Sequence, residues 1–370
     1  MKIVQVSPYS MDRPGGVQAH IRDLAIWLRH EGHEVRIVSP PGTGDLEGGM
    51  ALGSFRTMKL HGTAFEISRA GRREVRSCLD DLRNWGAEVM HLHTPWTPML
   101  AWQVWRGLSI PSVATFHATL PEGSGFDPFR WYIHRAARYF NRRLDAVLVP
   151  SRAPQSQWQA LGFDPVPQIS PPAIDLSRWS AARVPKQGGP HVVFMGRLEE
   201  RKGARVLLEA WARIAAALPE AQLTIAGDGG LKQELIQFTQ EQALQRVQFL
   251  PPPSDDEAPK LVASGDFFAA PAIGGESFGL VLIEAMSAGA LPIAAANPGY
   301  ETVLSGGGEA LLVPPSDPTA LAEKVIELTR DVDRQSQLLT WAATHAKSFD
   351  VSTVGPSLVK VFQQAISRAE

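Results

Sequence analysis

Two glutamates flank a glycine-rich turn in Gly274-Gly275-Glu276-Ser277-Phe278-Gly279-Leu280-Val281-Leu282-Ile283-Glu284-Ala285-Met286. They stand eight residues apart, and at about 100° per residue they do not share one helix face. With Glu276 ahead of the helix and Glu284 inside it, both can line one extended ligand. The amides of Ser277, Phe278, Gly279 and Leu280 then face an anion such as a phosphate. Glu284 sits in an apolar run, so its carboxylate needs a hydrogen-bonding partner. The competing reading is a solvated helix carrying a surface acid. Upstream, Arg197 and Lys202 flank the loop Gly196-Arg197-Leu198-Glu199-Glu200-Arg201-Lys202-Gly203. Two cations there can neutralise a diphosphate, the arginine gripping it bidentately. Glu199 and Glu200 between them leave a solvated charge run as the alternative. A third turn, Pro14-Gly15-Gly16-Val17, opens a helix and frees its amides for an anion, or is a plain strand-to-helix connection. Its spacing is not G-x-G-x-x-G, which counts against a dehydrogenase. Asp255-Asp256 reads as a solvated helix start, and His91 and His93 as a buried structural pair on one strand face.

These turns need strands and helices to hold them. Apolar runs at Ile3–Ser7, Val35–Ser39, Val89–His93, Val113–His117 and Ala146–Pro150 predict strands, with a helical pattern over Val17–His30. Residues 164–190, dense in proline and glycine, predict a linker. Strands resume at His191–Met195, Leu223–Ala226, Val247–Leu250, Phe267–Ala270 and Pro292–Ala295, with helices at Ala204–Ala217, Phe278–Ala288 and Pro318–Thr329. Alternation of this kind predicts an α/β chain of two Rossmann-like domains facing across a cleft: residues 1–172, residues 173–351, and a last helix in 352–370.

The chain has 370 residues and an ordinary globular composition, 44% hydrophobic and 20% charged. Its net charge of -2 points to no nucleic-acid partner, although residues 1–172 carry more basic than acidic side chains and the remainder the reverse. A lone cysteine, Cys78, fits a reducing compartment. No apolar stretch approaches the ~18 residues of a membrane span. The expected location is the cytoplasm, with peripheral contact to the inner face of the cell membrane. Arg69, Arg72, Arg73 and Arg76 fall at i, i+3, i+4 and i+7 on one face of a predicted helix, opposite Val75, Cys78, Leu79 and Leu82. Such a helix suits an anionic lipid surface, or is a solvated face over a core stripe.

Taken in order, GGV, ATFHA, GRLEERKG, IAGDG and GGESFGLVLIEAMSAG resemble a GT-B glycosyltransferase of glycosyltransferase family 4. The last is the E-x7-E signature of retaining members, and PYSMDRPGGVQAHI resembles the opening of bacterial phosphatidylinositol mannosyltransferases. The resemblance implies a nucleotide-sugar donor, GDP-mannose first, with no cofactor and no metal required. It implies that Gly15 and Gly16 serve the donor phosphates and that Arg197 and Lys202 hold the leaving diphosphate. Glu276 meets the sugar hydroxyls, Glu284 the ribose, and Gly227 and Gly229 lie beside the nucleotide. His117 faces the reacting sugar. The acceptor, a lipid or a small molecule, falls to Tyr9, Asp12, Gln18, His61 and Thr119, and the arginine helix to the membrane. His61-Gly62 replaces the family's asparagine-glycine, and Ala118-Thr119-Leu120-Pro121-Glu122 lacks its lysine, with Glu122 placed to repel a lipid phosphate. Two alternatives follow: a UDP-sugar enzyme acting on a diacylglycerol-type or soluble polyol acceptor, and a non-catalytic nucleotide-sugar binding protein.

Overall fold

Strands buried on both faces can be apolar throughout, and here each face of a parallel sheet meets its own core. A computed structural model of the chain describes residues 1–12, 15–42, 47–60, 63–95, 99–120, 123, 125–186 and 188–369. It divides into two units, Met1–Asp175 with Val351–Glu370, and Leu176–Asp350. The changes fall at 175/176 and 350/351, against 172/173 and 351/352 read from the sequence.

The first unit holds strands β1 (Lys2–Val6), β2 (Glu34–Ser39), β3 (Gly49–Ala51), β4 (Ser54–Leu60), β5 (Thr63–Arg69), β6 (Val89–His93), β7 (Ser112–Thr115), β8 (Ala146–Val149) and β9 (Gln168–Ile169). Its helices are α1 (Gly16–His30), α2 (Arg72–Trp85), α3 (Met99–Gly107), α4 (Pro128–Asn141) and α5 (Arg152–Ala160). All sheet pairings in the order β3-β2-β1-β6-β7-β8-β9 are parallel, and β4 and β5 form a separate antiparallel hairpin. Alternate strand residues serve the two faces. Val4, Val6, Met90 and Leu92 pack with α2 to α5, while Ile3, Ile37, Val89 and Val113 pack with α1 and the last helix.

The second unit holds α6 (Ser177–Ala181), β10 (His191–Met195), α7 (Ala204–Ala217), β11 (Gln222–Ala226), α8 (Lys232–Glu241), β12 (Val247–Leu250), α9 (Glu257–Ser264) and β13 (Phe267–Ala270). It continues with α10 (Leu280–Ala288), β14 (Leu291–Ala295), α11 (Pro298–Leu304), β15 (Leu312–Val313), α12 (Pro318–Arg330) and α13 (Val332–Ala346). Its sheet, β12-β11-β10-β13-β14-β15, is parallel throughout. The chain then returns to the first unit as α14 (Val351–Ala369).

Four expectations are corrected. The stretch 164–190 holds the change of unit at 175/176, as a linker does, but part of it is regular structure: β9 joins the first sheet, and Trp179 of α6 is buried. Arg183 there donates to the carbonyls of Ser287 at 2.7 Å and Met286 at 3.2 Å. The arginine helix starts at Arg72, because Gly71 is its extended cap and donates its N–H to Glu74 Oε2 at 2.7 Å. Arg69 instead ends β5, opposite Ser54. The fourth strand predicted for the first half stops at Thr115, leaving His117 on the loop beyond it. Finally, α10 begins at Leu280, two residues later than expected, because Gly279 at φ 119° delays it.

Candidate active site

Ligands of open parallel sheets bind beyond the carboxyl ends of the strands. In the second unit the loops after β10, β11 and β13 meet there. A Cβ on Gly227 would lie 1.9 Å from the Gly196 carbonyl oxygen, and one on Gly229 would lie 2.4 Å from that of Leu198. Only bare backbone fits, and Leu198 N–H donates to the Asp228 carbonyl at 2.8 Å. The 196–203 loop is also tied to the GGES turn, where Ile273 N–H donates to the Arg201 carbonyl at 2.9 Å.

That tie brings charges together. Lys202 Nζ lies 2.7 Å from Glu276 Oε1, and Arg201 Nη1 lies 3.1 Å from the same oxygen. Arg197 Nη1 lies 2.8 Å from Glu199 Oε1, and Arg201 Nε lies 3.4 Å from Glu199 Oε2 without hydrogen-bond alignment. The result is an alternating lattice of three cations and two carboxylates. The Glu276 side chain is only 14% exposed, so water screens this lattice less than a surface pair. Arg197, Lys202 and Glu276 were read from the sequence. Arg201 was missed, since only the fold of the loop around Glu276 reveals that two successive cations reach one oxygen.

Downstream, Phe278 is buried with its ring 5.7 Å from that of Phe349, so it offers an incoming anion only its backbone. A Cβ on Gly279 would lie 2.7 Å from the Tyr300 ring. Burial, then the charge of Glu276, pushes the Tyr300 phenol well above its usual range. Ser277 and Leu280 are half-buried beside these groups, and Glu284 is half-buried within α10.

In the first unit Tyr9, Asp12, Gly15 and Gly16 follow β1, and His117 and Thr119 follow β7, all at the carboxyl edge of the sheet. Gly15, Gly16, Asp12 and Thr119 are exposed and Tyr9 is half-buried. Gln18 is buried, and its amide donates to the Ser10 carbonyl at 3.4 Å, which makes it a brace for the loop. His61 lies outside the described residues. Beneath this edge sits a cluster not foreseen as a whole. His91 and His93 are fully buried, as expected, but His20 from α1 and His117 pack against them. One nitrogen each of His20, His93 and His117 lies within 4.8 Å of the others, a set able to hold a metal ion. Burial depresses His20 to about 4, and burial with neighbouring imidazoles holds His91, His93 and His117 well below their usual range. Strand periodicity showed two of these four residues; the others arrive from distant parts of the chain.

Comparison with known proteins supplies the lineage. Residues 177–342 match the Glycosyl transferases group 1 family and residues 14–178 match Glycosyltransferase Family 4. The chain is 30% identical to a phosphatidyl-myo-inositol mannosyltransferase of Mycolicibacterium smegmatis, over 98% of this chain and 94% of the relative. It is 32% identical to one of Mycobacterium tuberculosis, over 98% and 97%. Among solved structures, Anabaena Alr3699/HepE in complex with UDP superposes with a TM-score of 0.74 at 19% identity, over 98% of this chain and 100% of that one. The chain is therefore an enzyme of the GT-B glycosyltransferases and belongs to glycosyltransferase family 4.

Proposed function

We propose that the enzyme is a retaining α-glycosyltransferase that moves mannose from GDP-mannose to phosphatidylinositol at an anionic membrane surface. The observation that carries it is the lattice at the start of α10, where Lys202 and Arg201 converge on Glu276. Breaking the anomeric bond puts positive charge on the sugar and negative charge on the departing diphosphate. Arg197, Arg201 and Lys202 offset the second, helped by the amides at the α10 N-terminus, and supply the charge a divalent metal provides in other enzymes. A diphosphate competes with Glu199 and Glu276 for the same cations. Its arrival frees the Glu276 carboxylate for sugar hydroxyls, while Glu284 takes the ribose. Mannose and phosphatidylinositol rest on the likeness to the mannosyltransferases above.

The first unit supports a membrane-side acceptor. Trp102, Trp131 and Tyr132 are exposed, with Arg106 stacked 4.9 Å over Trp102 and Arg135 5.1 Å over Trp131. They line a groove of about 520 Å³. Aromatic rings beside arginines suit the boundary between headgroups and acyl chains. On α2, Cys78, Leu79 and Leu82 are buried in the core, so that helix presents its arginines rather than an inserting apolar face. A second reading, a UDP-sugar enzyme with a diacylglycerol-type or soluble polyol acceptor, is favoured by Glu122 and the missing lysine, at positions where a lipid phosphate is otherwise expected.

The test is calorimetric titration with GDP, UDP and ADP without added metal, followed by transfer assays with GDP-mannose or UDP-glucose and phosphatidylinositol vesicles. Tightest binding of GDP and mannosyl transfer to the vesicles are expected. Preference for UDP, or transfer only to soluble polyols, selects the second reading.

A further inference from the structure

The first unit carries a groove that the donor chemistry does not use. Strands β6, β7 and β8 pair in parallel, so the crossover helices α3 and α4 run back along them, and both begin at the carboxyl edge of the sheet. The groove of about 520 Å³ lies between these helices and has the size of a ligand site. It opens at Pro95 and Met99, just past β6, and runs by Trp102 and Trp131 to Arg106 and Tyr139. From Trp131 to Tyr139 it follows about 12 Å of helix.

Its walls are apolar and its charges have one sign. Phe140 is buried and Ala136 half-buried, while Met99, Trp102, Trp131 and Tyr132 are exposed. Single apolar side chains on a surface are ordinary, but four lining one groove mark a surface that is covered in use. Arg106 and Arg135 lie over the Trp102 and Trp131 rings, which leaves the edges of their guanidinium groups for a bidentate anion. None of the described lining residues is acidic. Trp102 and Arg106 also line a furrow of about 620 Å³, whose other cations are Arg72, Arg76 and Arg83 of α2, against one acid, Asp80. A second copy of this chain docked face to face would set arginines against arginines. An amphiphile with an anionic phosphate and an extended apolar tail matches both features of the groove.

We propose that the α3–α4 groove seats one acyl chain of a phospholipid acceptor, with Arg135 on its phosphate and its headgroup directed to the carboxyl edge of the sheet. Trp131 and Arg135 stand in the first two turns of α4, near that edge. The inference rests on the reading above that the acceptor is a membrane lipid, and it names the part of that lipid which this chain recognises beyond the headgroup.

Transfer by the full chain to dibutanoyl and dioctanoyl phosphatidylinositol, each kept below its micellar concentration, tests this without vesicles. The longer tails are expected to lower KM about tenfold or more, since each buried methylene strengthens binding. Ala136→Trp fills the groove and is expected to raise KM for the dioctanoyl lipid to about that for the dibutanoyl one, with native circular dichroism. A binding readout stands apart from catalysis. Dioctanoyl phosphatidylinositol brominated along its chains is expected to quench tryptophan fluorescence, and Trp131→Phe to remove part of that quenching. Equal KM for the two lipids in the wild type, an undiminished chain-length effect in Ala136→Trp, or absence of quenching overturns the assignment. So does a lipid-free dimer that Ala136→Trp dissociates, which gives the groove to a second copy. Quenching without transfer to either lipid keeps the groove as a lipid seat and instead overturns the reading of that lipid as acceptor.

Discussion

Glu276 accepts from two cations at once, so removing it leaves Lys202 and Arg201 without their shared counter-charge. Glu276→Ala and Lys202→Ala are expected to lower kcat about 10²–10³-fold while circular dichroism stays native, in line with the loss of one preorganised charge stabiliser. Arg201→Ala belongs to the same set and is expected to cost about as much; wild-type turnover in that variant would make it a scaffold residue. The buried histidines carry a different signature. Each resists protonation in the folded chain, whereas the unfolded chain binds a proton below about pH 6.5. The unfolded state therefore holds more protons in that window, and stability falls as pH drops from 6.5 toward the value of about 4 to which His20 is depressed. The loss is up to about 1.4 kcal/mol per pH unit for each histidine. Urea midpoints at pH 7, 6 and 5 measure it, and a flat profile would show that these histidines titrate in the folded chain as they do in the unfolded one. Residue identity made Glu276, Arg197 and Lys202 legible in the sequence. Arg201 and His20 were not, because their roles depend on a loop wrap and on a helix packing onto a strand end.

Periodicity carries the elements well when they are long. Ala204–Ala217 and Val89–His93 fall where their patterns place them. The short edge strands Gln168–Ile169 and Leu312–Val313 have too few residues to show a period, and the hairpin of β4 and β5 was not read at all. The turn glycines were visible but their reason was not. At Gly203 the backbone is left-handed at φ 72°, and a Cβ would lie 2.0 Å from the Pro271 carbonyl oxygen. Gly203→Ala is thus expected to part the two loops that hold the lattice, costing about 1–3 kcal/mol of stability as well as most transfer. Thermal unfolding and a single-turnover assay measure the two effects separately. For α2, the paired substitution Arg72/Arg73→Ser is expected to reduce co-sedimentation with anionic vesicles several-fold at low salt and less at high salt. Unchanged co-sedimentation removes these arginines from the membrane surface without touching the donor chemistry.

At the scale of the molecule, the first unit is assembled from two separated parts of the chain. Phe362 of α14 is fully buried and its ring lies 5.3 Å from that of His91, so the last helix backs the histidine cluster. Gly355 lets α14 approach closely, since a Cβ there would lie 2.4 Å from the Trp27 ring. Phe362→Ala is expected to cost about 3–5 kcal/mol, read as a lowered urea midpoint for the first unit with the second unchanged. Equal loss in both units would show that they unfold as one. The discontinuity also orders events on the ribosome. Residues 176–350 leave the exit tunnel with every strand of their own sheet already made, whereas the N-terminal stretch, synthesised first, must wait for the last helix. Until then its α1 face is uncovered, and Ile21, Leu24 and Leu28 lack the apolar cover that Val354, Leu358 and Phe362 supply.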